Sequence, residues 1–308
     1  MSSRQSGDDV RRLPFIPVTL LPFTETQQRQ FFDQWFAENP RHVRTIELHL
    51  QENGKLREAL QNPLLATVLC TLMERNSRLP QNEVGLYVER FRLLLDSYDA
   101  HKGTQRVRSS YVELVRCAKG IAFKLHCESK REERRAVLYT MAIDVLGRDR
   151  EESARLAVDE LEDPCNVLVP MTDDGKLGFG HLRYQEYLAA TVLCEDRSVP
   201  LHLHIGNPRW SDVYMLMAQL VRDLEGCISV LAKEGYVAPA KDVVLKMIEA
   251  RPELEWNHLR DVLDDAIAAE RQDDLIAFSD GDQWDLLASP PGEDADDEDA
   301  DDEDGGTG

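Results

Sequence analysis

Residues 166–190 constrain the fold more than any other stretch of the sequence. Two short apolar runs flank the turn Thr172-Asp-Asp-Gly-Lys176, and this pattern predicts a β-hairpin over residues 166–181. From Leu182 to about Cys194 the apolar residues recur with helical spacing, so a helix should follow the second strand directly. A hairpin that leads straight into an apolar helix is typical of the end of a winged-helix domain.

The sequence before this hairpin is predicted to be helical. Three segments have apolar residues at helical spacing, namely 109–127, 131–147 and 150–163. At the start of the second segment, the run Lys130-Arg-Glu-Glu-Arg-Arg135 alternates in charge, which we interpret as a solvated helix face. Together with the hairpin and the closing helix, these segments predict a winged-helix domain at 104–196.

A first helical domain is predicted at 24–103. The segment Thr24-Glu-Thr-Gln27 has the spacing of a capping box, which starts a helix. That helix should bury one aromatic face, made of Phe31, Phe32, Trp35 and Phe36. Asn62 and Pro63 provide an N-cap and a first-position proline for a strongly apolar helix. A further amphipathic helix is expected at 84–98.

Residues 197–284 are predicted to form a second helical domain, and residues 285–308 a disordered acidic tail. Helical apolar spacing in the second helical domain recurs in four segments, at 210–221, 225–231, 238–250 and 256–278. The tail has ten acidic residues among the twelve from Glu293 to Asp304, a composition that favours disorder.

Charge and composition exclude several classes of function. The net charge is −21, and without the ten acidic charges of the tail it is still −11, which argues against binding to nucleic acid. The six cysteines form no CxxC pair and have no histidine at metal-ligand spacing, so we expect free thiols in a reducing cytoplasm. No stretch approaches the roughly 18 apolar residues of a membrane span. Because the N-terminus also lacks a signal-peptide pattern, a soluble, cytoplasmic protein is expected.

Several motifs, taken in order, resemble the C-terminal half of a NACHT-type NTPase, a family of STAND signal-transduction ATPases. Leu21-Pro-Phe-Thr-Glu-Thr-Gln27 with Phe31-Phe-Asp-Gln-Trp-Phe36 is similar to the family's passage into its first helical domain. Leu60-Gln-Asn-Pro-Leu-Leu-Ala-Thr-Val-Leu-Cys70 is similar to its Asn-Pro-Leu-Leu helix. Phe179-Gly-His-Leu-Arg-Tyr-Gln-Glu-Tyr-Leu-Ala-Ala190 resembles the family's Phe-x-His-x-x-Phe-Gln-Glu-Tyr-Leu-Ala-Ala, with Tyr184 at the second Phe position.

The resemblance covers roughly residues 1–222 and lacks the nucleotide-binding core. Family members hold ATP in a P-loop, but the sequence contains no GxxxxGK[ST] motif. Ser2-Ser-Arg4 resembles the end of the sensor strand, with Gln5 in place of the usual proline, so residues 1–23 are interpreted as a remnant of that core. The chain alone is therefore not expected to hydrolyse ATP. ATP or ADP with magnesium is expected only if a P-loop core is supplied.

The resemblance implies nucleotide contacts for three residues. Arg4 would meet the γ-phosphate, Pro63 would pack on adenine, and His181 would donate a hydrogen bond to the β-phosphate of ADP. Each also has a simpler explanation, as a surface charge, a helix-start proline and a structural histidine, respectively. Glu186 is expected to be exposed and to pair within its domain. No catalytic residue and no metal ligand is predicted.

The function that the resemblance implies is that of a regulatory or oligomerisation arm, which relays nucleotide state in bacterial defence or signalling. The expected partners are a NACHT nucleotide-binding core, from upstream in the same gene or from a separate chain, and further copies of itself. Neither a membrane nor nucleic acid is an expected partner. The alternative is a winged-helix DNA-binding transcriptional regulator, which a basic recognition helix would support. Neither 131–147 nor 150–163 is clearly basic.

Overall fold

A computed structural model of the protein describes residues 21–95, 107–171 and 175–285, with side chains as far as residue 272. These residues are mainly α-helical, with one small antiparallel sheet. They divide into two compact units, 21–199 with 209–221, and 200–208 with 222–285. None of the described helices is both long and apolar enough to cross a membrane.

The first unit begins with a bundle of five helices. They are α1 Glu25–Trp35, α2 Pro40–Glu52, α3 Gly54–Ala59, α4 Pro63–Glu74 and α5 Glu83–Leu95. The predicted capping box is confirmed, because the Thr24 side chain accepts from the Gln27 N–H and the Gln27 side chain accepts from the Thr24 N–H. The predicted N-cap of α4 is also confirmed, because the Asn62 side chain accepts from the Leu64 N–H at 3.0 Å.

The predicted aromatic face of α1 is only partly buried. Phe32 and Phe36 lie in the core, whereas Trp35 is 37% exposed. The indole N–H of Trp35 donates to the Glu74 carboxylate at 2.9 Å, which allows this large ring to cover the surface between α1 and α4. The core of the bundle therefore comes chiefly from aliphatic residues of α2, α3 and α4, most of which have almost no exposure.

A winged-helix domain follows. Its elements are α6 Tyr111–Cys127, β1 Glu132–Arg134, α7 Arg135–Leu146, α8 Glu151–Glu162, β2 Leu168–Pro170, β3 Lys176–Phe179 and α9 Leu182–Glu195. The three strands pair antiparallel in the order β1-β3-β2, so the predicted hairpin is confirmed as β2 and β3. Residues 172–174 of its turn lie outside the described residues. Gly147 ends α7 at φ 108°, a left-handed backbone that favours glycine.

The prediction of one helix over 131–147 is wrong at its start. Residues Glu132–Arg134 form β1, and the helix begins only at Arg135. Alternating charges fit a strand as well as a helix surface, because successive strand side chains point to opposite faces. Pairing with β3 makes these residues a strand rather than a helix. The pairing brings the backbone at Gly178 so close to Arg131 that a Cβ on Gly178 would collide with the Arg131 carbonyl oxygen. The sheet thus depends on a glycine about 45 residues away along the chain.

Residues 209–221 pack in the first unit, although the sequence assigns them to the second helical domain. A short 3-10 turn, Pro208–Trp210, leads into α10 Ser211–Leu220, which packs against α9. Trp210 is almost fully buried and contacts the ring of Phe123 edge-on at 5.6 Å. The five-part division of the chain remains a prediction.

The longer elements of the second unit are all α-helices. It contains the 3-10 turn Leu201–His204 and three helices, α11 Leu224–Lys233, α12 Lys241–Glu249 and α13 Glu253–Asp285. The last helix is longer than the predicted 256–278. Its buried Glu270 accepts hydrogen bonds from the N–H groups of Val237 and Ala238, at 2.8 and 2.7 Å. The disordered tail predicted for 285–308 lies outside the described residues from 286 onwards.

Candidate functional site

His181 stands where the wing meets the closing helix. It is the N-cap of α9, and its Nδ1 accepts a hydrogen bond from the Arg183 N–H at 3.2 Å. With Nδ1 acting as acceptor, the neutral ring carries its proton on Nε2, which makes Nε2 the donor. The histidine is half-buried, and its ring lies 6.2 Å from that of Tyr184. Its capping role is structural, and its Nε2–H is the group through which the predicted phosphate contact would act.

The other two predicted nucleotide contacts are not brought to His181 by the described residues. Pro63 is exposed at the first position of α4, where its structural role as a helix-start proline is confirmed. Its predicted contact with adenine remains a prediction. Arg4 lies outside the described residues, as does the rest of the predicted core remnant up to residue 20.

The structure instead joins α9 to α5 through a cluster of four aromatic rings. Tyr87 and Phe91 of α5 face Tyr184 and Tyr187 of α9. The rings of Phe91 and Tyr187 stack at 5.6 Å, and those of Tyr87 and Tyr184 meet edge-on at 5.8 Å. All four side chains are at least nine-tenths buried. Offset and edge-on ring pairs of this kind are favourable beyond the area that they bury.

An ion pair lies beside these rings. The Arg183 guanidinium donates twice to the Glu83 carboxylate, from Nε to Oε1 at 3.0 Å and from Nη2 to Oε2 at 3.3 Å. The Tyr87 hydroxyl donates to the same Glu83 Oε1 at 2.7 Å. The Nη1 atom of Arg183 faces two more carboxylates, Glu186 at 3.4 Å and Asp212 at 3.5 Å. We call these four charged residues, together with the four rings, the α5–α9 junction.

Burial and charge set the protonation of the junction. Burial lowers the pKa of Arg183, but the hydrogen bonds and charge of Glu83 outweigh it and hold this pKa above its usual range. Burial raises the pKa of the Tyr87 hydroxyl, and the charge of Glu83 raises it further. Burial also raises the pKa of Glu186, with Arg183 opposing the shift. Arg183 is therefore a fixed positive charge, and burial disfavours the ionised form of its neighbour Glu186.

The local sequence explains why these side chains share a face. Glu83 lies in the first turn of α5, and Tyr87 and Phe91 follow at four-residue intervals, so the three form one stripe. Arg183 and Tyr187 have the same interval in the first turns of α9. A carboxylate in the first turn of a helix is also favoured by the helix dipole.

Sequence reasoning missed the junction, and it was wrong about Glu186. That residue was expected to be exposed, but it is 5% exposed and pairs with Arg183. The aromatic residues of α5 and α9 recur at helical spacing, which indicates that each helix has a buried aromatic side. The spacing does not indicate that the two sides meet, since Glu83 and Arg183 are 100 positions apart.

A second, different contact holds α9 inside the winged-helix domain. The buried Gln185 side chain donates to the Lys130 carbonyl at 2.9 Å and lies 3.5 Å from Nδ1 of His126. His126 has no exposure, and its ring meets that of Trp210 edge-on at 4.7 Å. This contact links α9 to α6 and to the start of α10.

Other parts of the described structure offer weaker candidates. No group of three or more histidine, cysteine or acidic residues there is arranged to hold a metal ion. His202, part of the His-x-His sequence, stacks on Tyr236 at 4.5 Å and pairs with Glu234. A shallow groove between α6 and α7 is lined by apolar residues such as Phe123 and Met141 and by charged ones such as Lys124 and Asp144.

No protein-family model matches the sequence, and no curated protein is similar enough to be reported as a relative. The relation to NACHT-type NTPases therefore rests on the order of the sequence motifs and remains a prediction.

Proposed function

We propose that this chain is the regulatory arm of a NACHT-like signal-transduction ATPase, and that the α5–α9 junction relays the state of a nucleotide. The nucleotide-binding core is encoded upstream in the same gene or on a separate chain, because this sequence has no P-loop of its own. ATP or ADP with magnesium binds only when that core is present, and hydrolysis is not a property of this chain alone. We place the protein in the cytoplasm, in a bacterial defence or signalling system.

The observation that carries this proposal is the position of His181 beside the junction. His181 caps α9, and Arg183, two residues on, holds Glu83 of α5. A phosphate that bound the Nε2–H of His181 would therefore fix the same helical turn that ties α9 to α5. Loss of that phosphate would loosen both at once, because the two residues share one turn of backbone.

The make-up of the junction suits a contact that opens. Helices α1 to α5 pack on one another, and α6 to α9 pack around the sheet, so each side has its own core. Helix α5 packs against α6, α9 and α10, and its contact with α9 is made by aromatic and charged side chains. Because the contact consists of a few such groups, all of them are lost when it opens. It therefore has the two discrete states that a switch needs.

The winged-helix fold also raises the alternative of a DNA-binding regulator. In that class the second helix of the helix-turn-helix reads the major groove, and the corresponding helix here is α8. Helix α8 contains five carboxylates and one arginine, and that arginine, Arg155, pairs with Glu151 of the same helix. A helix with this charge is repelled by phosphates, which favours the regulatory arm.

The proposal is tested first on the gene. The DNA upstream of Met1, translated in all frames, should encode GxxxxGK[ST] within about 200 codons, the length of one domain. The core encoded there is then co-purified with the chain, and the ADP retained per complex is measured. We expect His181→Ala to lower retention and His258→Ala, an exposed histidine of the second unit, to leave it unchanged. Tight ATP or ADP binding by the chain alone would refute the proposal, and tight DNA binding at physiological salt would favour the alternative.

A further inference from the structure

We propose that Arg183 exchanges carboxylate partners when the α5–α9 junction opens, leaving Glu83 and closing onto Glu186 and Asp212. The inference rests on the proposed function in one respect, namely that opening of this junction is the working step of the switch. The exchange would make Arg183 and its two alternative partners the residues that set how readily the junction opens.

The guanidinium already faces both sets of partners. Its Nε and Nη2 atoms are occupied by Glu83 at 3.0 and 3.3 Å, while Nη1 points to Glu186 and Asp212 at 3.4 and 3.5 Å. The last two distances are longer than the 2.7–2.9 Å of a strong charge-assisted hydrogen bond. A shift of about half an ångström would convert both into full hydrogen bonds, on that measure of length.

On the α9 side of the junction, Arg183 needs another carboxylate to replace Glu83 when α5 separates. The Arg183 side chain is 17% exposed, and removing one partner of a buried ion pair is strongly destabilising. Glu186, whose side chain is 7% exposed, is also poorly compensated while Glu83 holds the guanidinium, since burial raises its pKa. Arg131 supplies the other positive charge that acts on Glu186. A shorter Arg183–Glu186 pair would satisfy both groups once α5 has left.

On the α5 side, Glu83 keeps a hydrogen-bond donor when Arg183 is lost. The Tyr87 hydroxyl donates to Glu83 at 2.7 Å, and both residues belong to α5, so this bond survives separation. Glu83 also lies in the first turn of α5, where the helix dipole stabilises a carboxylate. Both surfaces of the junction therefore retain a partner for their charge after they part, which lowers the free energy of the open state.

The test uses the full chain and measures how often the α5–α9 junction opens. The readout is hydroxyl-radical oxidation of Tyr184 and Tyr187, which the junction buries. Tyr214, fully buried in α10, is the internal reference. Glu83→Gln removes the partner of the closed state, and we expect oxidation of the two junction tyrosines to rise about tenfold, within the usual range of pair couplings. Glu186→Gln with Asp212→Asn removes the partners of the open state, and we expect oxidation to fall about threefold.

The sign of the second effect decides the proposal. If Glu186 and Asp212 only help to hold the closed state, their loss will raise oxidation, and a rise or no change overturns the exchange. The matched control is Glu152→Gln with Asp264→Asn, which removes two exposed carboxylates elsewhere and should leave oxidation unchanged. If circular dichroism shows that the double variant does not fold, Asp212→Asn alone, at a side chain 57% exposed, is used with the same expected sign.

The outcome is separable from that of the proposed function. The oxidation experiment needs neither nucleotide nor a nucleotide-binding core. The exchange of carboxylates by Arg183 can therefore hold even if no such core is encoded upstream. Conversely, a core that binds ADP through His181 would support the switch even if Arg183 keeps Glu83 in every state.

Discussion

Helix α9 is held on two sides by contacts of different chemistry. Towards α5 it presents aromatic rings and a guanidinium that has three carboxylates within reach. Towards α6 and α10 it packs more extensively, and one amide side chain, that of Gln185, bonds to a fixed carbonyl. Under the exchange that we propose, Arg183 keeps carboxylate partners after α9 separates from α5. A helix can thus be anchored in one domain and docked reversibly on another.

The largest expected effect comes from truncating the buried core of α6, a helix against which α9 packs. Ile121 of α6 has no exposure, and Ile121→Ala should lower the free energy of unfolding by about 2–5 kcal/mol through lost burial and a residual cavity. Thermal melts followed by circular dichroism and by tryptophan fluorescence are expected to shift together. Val112→Ala, at a side chain 63% exposed in the same helix, should change stability by less than about 0.5 kcal/mol. An equal effect of both variants would contradict the assignment of this core.

Breaking the ion pair with α5 should cost less. Glu83→Ala removes the bidentate partner of Arg183, and loss of one partner of a buried pair costs about 3–5 kcal/mol. Because these side chains are about one-fifth exposed and Glu186 remains close, we expect a smaller cost, about 2–3 kcal/mol. Hydrogen exchange should quicken in α5 and the first turn of α9 but not in α6.

The control for that prediction is Glu89→Ala in the same helix. Glu89 pairs with Arg92, whose side chain is 61% exposed, so its loss should cost about 0–1 kcal/mol. Exchange that quickens equally in α5 and α6 for Glu83→Ala would show that the junction is not a separate contact.

Gln185→Ala is expected to have an intermediate to small effect. It leaves the Lys130 carbonyl without its side-chain donor, at a cost of about 1–2 kcal/mol for a buried neutral hydrogen bond. Chemical denaturation should show this loss with an unchanged dependence on denaturant. Gln185→Glu should be worse, because a carboxylate cannot donate to a carbonyl. If Gln185→Glu were the more stable of the two, the hydrogen-bond assignment would fail.

The smallest effect is expected at Glu186, and it depends on pH. Burial raises the pKa of Glu186, so the folded chain binds this proton more tightly than the unfolded chain. Folding is then penalised while Glu186 is ionised, and the penalty disappears as pH falls through the folded pKa towards the unfolded value. Glu186→Gln, neutral at every pH, should be more stable than the unsubstituted chain at pH 7 by less than about 1 kcal/mol.

Thermal melts of both proteins from pH 7 downwards check this prediction. The advantage of Glu186→Gln should vanish near pH 4.3, about the unperturbed pKa of a glutamate. If Glu186→Gln were instead the less stable protein at pH 7, Arg183 would dominate the pKa of Glu186, and the sign of the argument would be reversed.

Local chemistry made part of this structure predictable. The capping box at Thr24 and the Asn62-Pro63 helix start form as expected, because each depends on residues within four positions of one another. The hairpin of β2 and β3 also depends on neighbouring sequence. Strand β1 was missed because its pairing partner, Lys176–Phe179, lies over 40 residues away, and three charged residues are too few to show a period of their own.

The sequence by itself determined the helices, the hairpin and the position of His181 at the start of α9, since caps, turns and apolar periods act over a few residues. Only the tertiary structure decided that Arg183 meets Glu83 and that Glu186 is buried. The physical reason is that an amphipathic helix needs an apolar partner without specifying which one. The choice among partners is made when whole faces pack, and charges 100 positions apart are then brought within hydrogen-bond distance.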